Sequence, residues 1–248
     1  MAEYNGHFRS LTEVELGALS ARAAMQRAGV APSQIHHTVF GNALQTSGNA
    51  VYGARHVALK AGLPIEVPAL TLNRLCGSGI QSLISATHLI RSDEADCVLA
   101  GGMENMSQAP HVIRGARTGF RLGEGKLEDS LMVALMDTHC GLYMAQTAEK
   151  IAQERDISRK EQDAFALLSQ QRAEIAHQAG KFRDEIEPVS VKEGRKEILV
   201  SEDDHRRPET TMEGLARLST GFGPEGSVNA GNASGSVDGA APVVGAAD

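Results

Sequence analysis

The chain has 248 residues, 42% of them hydrophobic, and a formal net charge of −7, long enough for one large α/β domain or two smaller ones sharing an interface. Interspersed acidic and basic residues argue against nucleic acid or an anionic membrane as the main partner. Three cysteines, Cys76, Cys97 and Cys140, lie far apart and never in C-x-x-C spacing, which speaks against a disulfide framework and against a zinc site.

No metal is therefore expected. No stretch approaches the roughly 18 apolar residues of a membrane span, and MAEYNGHFRS lacks an apolar signal core, so the expectation is a soluble, cytoplasmic protein. Trp is absent, aromatics make up 4% and glycines number 26, a composition suited to close packing of helices on a sheet.

In chain order, Ser10 and Glu13 match a capping box, and Leu11, Val14, Ala18, Ala21 and Met25 recur at helical spacing until Gly29. A short strand, HHTVFG (36 to 41), and a helix, VYGARHVALKAG (51 to 62), follow across a polar loop. His36 and His37 are successive strand residues that point to opposite faces, so they do not share a metal. The strand VPALTL (67 to 72), an amphipathic helix over 79–95 and the strand CVLAGG (97 to 102) form a β-α-β unit with a parallel pair. HVIRGARTGFRLGEGK reads as a hairpin around a Gly-rich turn, with Arg114, Arg117 and Arg121 on a solvated surface, and SLMVALMD as a short helix. Ser158 and Glu161 open a long helix that Gly180 ends, and residues 187–200 alternate as a second hairpin. The final Gly/Ala/Ser-rich stretch, VDGAAPVVGAAD, reads as the start of further structure.

The sharpest local feature is NRLCGSGIQS (73 to 82). Between a strand and a helix, Cys76 stands where free backbone N–H groups and the helix dipole stabilise an anion, and a thiolate is the nucleophile suited to thioester chemistry. Gly77, Ser78 and Gly79 would let an acyl chain approach and backbone N–H groups meet an oxyanion. The same placement suits a buried structural cysteine beside a tight turn, and C-G-S-G alone does not decide. AGGMEN (100 to 105) lacks G-x-G-x-x-G and the Walker lysine, and reads instead as packing beneath the nucleophile.

NRLCGSGIQSL together with AGGMENMSQAPH resembles the thiolases, specifically the acetyl-CoA acetyltransferase group. YMAQTAEKIA (143 to 152) with the long helix resembles the family's CoA-binding loop region, and GSVNAGNASGSVDGAA (226 to 241) resembles its thioester-contacting loop. The resemblance implies an α/β thiolase-like fold: residues 1–105 form the core carrying the nucleophile, 106–236 the loop region for CoA binding and oligomerisation, and 237–248 a truncated return to the core. It implies an acyl-CoA C-acyltransferase in which Cys76 carries the acyl group. Tyr143, Met144, Arg207, Ala230 and Ser234 then become substrate-binding residues. Met144 matches the apolar contact beside the acyl pocket, Ala230 and Ser234 touch the pantetheine arm, and Arg207 offers a permanent cation near the nucleotide. Tyr143 departs from the histidine often found there. The implied ligands are acetyl-CoA and 3-ketoacyl-CoA, with coenzyme A thioesters as substrates and no tightly held cofactor. The complete protein would be a homodimer or homotetramer, with HVIRGARTGFRLGEGK falling where the family projects an assembly loop.

The family's remaining acid/base groups lie in G-H-P and C-x-G-G-G contexts. None of the nine histidines here precedes proline, and neither Cys97 nor Cys140 has the glycine run. The expectation is therefore a truncated chain, lacking the C-terminal domain, with little turnover alone and with an exposed sheet edge and core face. The alternatives are a non-catalytic acyl-CoA-binding or assembly module completed by a partner chain and, fitting less well, a decarboxylating ketoacyl synthase.

Overall fold

The computed structural model describes residues 1–221 and 226–247. β1 (Ala2–Glu3) leads into α1 (Glu13–Ala28). The helix is capped by Thr12 rather than Ser10: the Thr12 hydroxyl accepts the Glu15 N–H at 3.2 Å, and the Glu15 carboxylate accepts the Thr12 N–H at 2.8 Å. The S-L-T-E-V-E run offers the capping-box spacing twice. The second register frees Glu13 to turn inward, where it is fully buried and accepts hydrogen bonds from Thr46 and Ser47.

β2 (His37–Gly41), α2 (Gly53–Ala61), β3 (Ala69–Leu72), α3 (Ser78–Arg91) and β4 (Cys97–Asn105) follow close to their predicted bounds. Left-handed glycines, Gly29 and Gly62, close α1 and α2. β5 (His111–Ile113) pairs antiparallel with β6 (Leu127–Asp129) as the first hairpin, and α4 (Ser130–Ala134) is the short helix of SLMVALMD. β7 (Met136–Asp137), β8 (Leu142–Tyr143), α5 (Met144–Glu154) and α6 (Arg159–Gln178) come next, the last capped by Ser158 and Glu161. The second hairpin is β9 (Val189–Glu193) with β10 (Lys196–Val200), followed by α7 (Met212–Ala216) and β11 (Val237–Ala246).

The chain divides into two compact units, one of residues 1–110, 187–202 and the stretch from 237 onward, the other of 111–186 and 203–236. The sequence-based division differs at two places: it ends the core at residue 105, where the first unit runs to 110, and it leaves the hairpin 187–202 in the loop region, whereas the hairpin joins the first unit. The physical reason is its apolar face, because Val191 is buried with Ala2, Phe8 and Leu16, and Val189, Ile198 and Val200 pack against the same cluster.

In the first unit the sheet order is β1-β11-β4-β2-β3. β3 and β4 run parallel, as a β-α-β unit requires, but β2 inserts between them and pairs with both. β11 lies antiparallel between β4 and β1. Side chains alternate across the sheet. On one face Phe40, Leu99 and Met103 meet Val14, Ala21, Val57 and Ala58 of α1 and α2; on the other, Val39, Val98 and Ala100 meet Ala86, Leu89 and Ile90 of α3. Both faces are thus covered, which explains why the strand sequences read as nearly continuous apolar runs. The outer side of α3 keeps Ile80, Leu83 and Ile84 exposed, and the edge strand β3 exposes Leu70.

In the second unit, two buried carboxylates tie α5 and α6 to the segment 226–232. Glu149 on α5 accepts from the Ser227 and Val228 N–H groups and the Ser227 hydroxyl at 2.6 to 2.9 Å. Asp163 on α6 is paired with Arg159 and receives the side-chain amides of Asn229 and Asn232.

Candidate active site

Cys76 is exposed, whereas Cys97 is buried within β4, where burial, with the neighbouring Asp96 charge, pushes its thiol pKa up. The exposure of Cys76 removes the reading as a buried structural thiol. It stands one residue before Gly77, the N-cap of α3, at the end of a turn whose preceding residue, Leu75, holds a left-handed φ of 49°. A bulky non-glycine residue is rarely found there, and its surroundings must hold it in place.

Several contacts do so. The Leu75 N–H donates to Asn73 Oδ1 at 2.8 Å, and the Leu75 carbonyl accepts from the Ser78 hydroxyl at 2.6 Å and the Ser78 N–H at 3.0 Å. Ser78, buried at the first turn of α3, also accepts the Arg74 N–H at 2.8 Å. The Gly77 N–H donates to the Arg74 carbonyl at 3.1 Å. These bonds correct one expectation: the N–H groups of Gly77 and Ser78 are engaged by the turn and are not offered to an oxyanion.

The glycines around the turn set how close the sheet comes. A Cβ on Gly41, the last residue of β2, would lie 2.6 Å from the Ser78 carbonyl carbon, and one on Gly102 of β4 would meet the Gly79 Cα at 3.5 Å. Gly102 of AGGMEN therefore lies against Gly79 in the first turn of α3. Next along β4, Glu104 accepts from the Ala43 and Leu44 N–H groups at 2.8 and 3.1 Å and from Asn42 Nδ2 at 2.8 Å. Burial is the main reason its pKa is raised to about 7; Glu13 adds to the rise and the three donors oppose it.

The other five sequence-predicted residues belong to the second unit. Met144 is the first residue of α5 and is 43% exposed; Tyr143 before it is half-buried, with its N–H donating to Gln146 Oε1. Ala230 and Ser234 are exposed in the segment that Glu149 and Asp163 shape. Burial pushes the Glu149 carboxyl up, but the Val228 and Ser227 donors and the Arg159 charge outweigh it and hold the group below its usual range. Arg207 is exposed in a loop where its N–H donates to Gln170 Oε1 of α6. Tyr143, Met144, Ala230 and Ser234 thus attach to α5 or to the segment tied to it, and Arg207 to α6.

Sequence reading alone does not single out Asn73, Leu75, Glu104, Glu149 or Asp163. For Glu104 a signal was present: a carboxylate inside an apolar strand, in AGGMENMS. For Leu75 there was none, because its side chain gives no hint of a positive φ.

The profile of the thiolase N-terminal domain matches residues 1–247. Human mitochondrial 3-ketoacyl-CoA thiolase is 47% identical over 242 residues, covering 97% of this chain and 61% of that protein. An acetyl-CoA acetyltransferase of Cupriavidus necator is 42% identical over 246 residues, covering 98% and 62%. The crystal structure of the human mitochondrial 3-ketoacyl-CoA thiolase superposes with a TM-score of 0.95 at 47% identity, over 98% of this chain and 62% of that one. A second crystal structure of that thiolase, in complex with CoA, gives 0.94. The chain thus spans about three fifths of the length of the curated relatives it matches. With its sequence matched almost end to end by the family profile, the chain belongs to the thiolase family, in the portion that forms the N-terminal domain.

Proposed function

We propose that the chain is the nucleophile-bearing portion of an acyl-CoA C-acyltransferase. The Cys76 thiolate attacks the carbonyl of an acyl-CoA, the carbon–sulfur bond to coenzyme A breaks, and CoA leaves as its thiolate while the acyl group remains on Cys76. In the second half-reaction the α-carbon of acetyl-CoA, relieved of a proton, attacks acyl-Cys76 to give 3-ketoacyl-CoA and return the thiolate; thiolysis is the reverse. The groups that move that proton belong to the G-H-P and C-x-G-G-G contexts, which residues 1–248 do not contain. The observation that carries this reading is an exposed cysteine on a constrained strand-to-helix turn in a chain of the thiolase family.

Tyr143, Met144, Arg207, Ala230 and Ser234 are assigned to substrate binding in the same reading. Support comes from the exposure of Met144, Arg207, Ala230 and Ser234 and from the buried Glu149 and Asp163, which anchor the segment of Ala230 and Ser234 to α5 and α6. The complete protein is read as a homodimer or homotetramer acting on acetyl-CoA and 3-ketoacyl-CoA, in fatty acid metabolism. No described helix is long and apolar enough to cross a membrane. A cytoplasmic location is part of the proposal, supported by three free thiols; the human relative is named as mitochondrial, and subcellular fractionation separates the two.

The test is intact-mass measurement after incubation with acetyl-CoA, beside Cys76→Ser. An acetyl adduct that the substitution abolishes supports acyl transfer; an adduct that survives it, or none on a folded chain, counts against Cys76 as an acyl carrier in this chain. A second reading of the same portion is an acyl-CoA-binding module completed by a partner chain. Copurification of a chain carrying G-H-P and C-x-G-G-G would support it.

A further inference from the structure

Behind the nucleophile turn runs a continuous path of hydrogen bonds from the centre of the sheet. Glu104 of β4 takes the Ala43 and Leu44 N–H groups and the Asn42 side chain, which fixes the turn after β2. Asn42 also donates to the Met103 carbonyl at 3.1 Å, so both of its amide hydrogens are committed to β4. The Ala43 carbonyl, oriented by that turn, accepts Asn73 Nδ2 at 3.0 Å. The other end of the same Asn73 amide, Oδ1, accepts the N–H of Leu75, the residue with the left-handed φ beside Cys76. Asn73 is exposed, so burial alone does not fix its side chain; the two hydrogen bonds set its orientation.

We propose that Glu104 and Asn73 are positioning residues for Cys76, with Glu104 acting through the 42–44 turn and Asn73 transmitting that constraint to the strained Leu75 that presents the thiol. The proposal deepens the acyl-transfer reading and rests on it for its catalytic meaning, but it concerns the state of the thiol and is tested without acyl-CoA. A bidentate amide is suited to the task because it donates to one loop and accepts from another with a single planar group. Aspartate at 73 would keep the acceptor for Leu75 and lose the donor to Ala43. Glutamine at 104 keeps the shape and gives up one of the acceptor oxygens.

The three cysteines make the measurement internally controlled. Cys76 and Cys140 are exposed and Cys97 is buried, so in the full chain iodoacetamide labelling, read by peptide mass spectrometry, reports the nucleophile, a reference thiol and global opening in one experiment. The expected result is a fall in the Cys76 to Cys140 labelling ratio by about two- to tenfold in Asn73→Ala and in Glu104→Gln, the range of one hydrogen bond of ordinary strength, with Cys97 still protected. Because the effect of Glu104 is transmitted through Asn73, the double variant should label no more slowly than Asn73→Ala alone, whereas independent structural effects would multiply. Asn73→Asp, which keeps the acceptor for Leu75 but cuts the tie to Ala43, should label at least as slowly as Glu104→Gln and be insensitive to adding Glu104→Gln. Ratios within the wild-type range in both single variants with Cys97 protected would overturn the proposal, and so would multiplying effects in the double variant. If a single variant exposes Cys97, Asn73→Asp with and without Glu104→Gln decides: a Cys76 response to Glu104→Gln in the aspartate background refutes the path. A thiol that follows the expected pattern yet takes no acetyl group would leave the positioning intact and remove the acyl-transfer reading.

Discussion

Glu104→Gln should change how the stability of the first unit depends on pH. Burial is the largest influence on this carboxyl, and folding raises its pKa from an ordinary 4.5 to about 7. Between those values the folded chain holds a proton that the unfolded chain has released. Stability from this group is therefore full below about 4.5, declines as pH rises through the interval, and stays reduced above it. An interval from 4.5 to about 7, at about 1.4 kcal/mol per pH unit, corresponds to about 3 kcal/mol of stability lost across it. Glutamine does not titrate, so the variant should gain on the wild type by about 3 kcal/mol between pH 4.5 and 7.5. The lost acceptor oxygen costs about 1 kcal/mol, which displaces the whole difference without altering its slope. The assay is denaturant unfolding of both chains at several pH values, followed by circular dichroism and by pulse labelling of Cys97, which is buried in the strand that carries Glu104. A difference between the chains that stays flat with pH, or that slopes the other way, would refute the reasoning.

Three further outcomes are expected. Gly41→Ala forces a Cβ to 2.6 Å from the backbone of Ser78; it should destabilise the chain by about 1–3 kcal/mol and lower Cys76 labelling, and an unchanged unfolding midpoint with unchanged labelling contradicts the close approach. Glu149 behaves with the opposite sign to Glu104: held below its usual range, it contributes stability above the ordinary carboxylate pKa that is lost as pH falls through its folded value. Glu149→Gln should therefore cost stability at pH 7 and little at low pH, measured by the same unfolding series; a penalty that does not shrink on acidification rules this out. Replacing the exposed Ile80 and Ile84 of α3 with glutamine should reduce self-association in light scattering and leave the unfolding midpoint within about 0.5 kcal/mol. A large loss of stability would mean that this face is already packed.

Much of this protein is legible in its sequence because the signals are local. Apolar residues at helical spacing, closing glycines such as Gly29 and Gly62, and the Ser158/Glu161 box define helices through neighbours only a few residues apart. The run L-C-G-S-G places a cysteine before a helix start for the same reason, and the family resemblance follows from such runs. The Thr12 cap shows where local reading stops, since two overlapping capping boxes are equally good in isolation. The choice between them agrees with the burial of Glu13 against Thr46 and Ser47, more than thirty residues away.

Only the tertiary structure decides what depends on partners distant in sequence. The order β4-β2-β3 inserts a strand into an apparent β-α-β pair, and the 187–202 hairpin joins the first unit because its apolar face finds Phe8 and Leu16. Glu104, Asn73 and the left-handed Leu75 acquire a role because the sheet brings residues 42–44, 73–75 and 104 within hydrogen-bond distance. Sequence specifies which residues carry donors, acceptors and a thiol; the long-range contacts determine which of those groups meet, and burial then shifts the ionisation of a carboxyl such as Glu104.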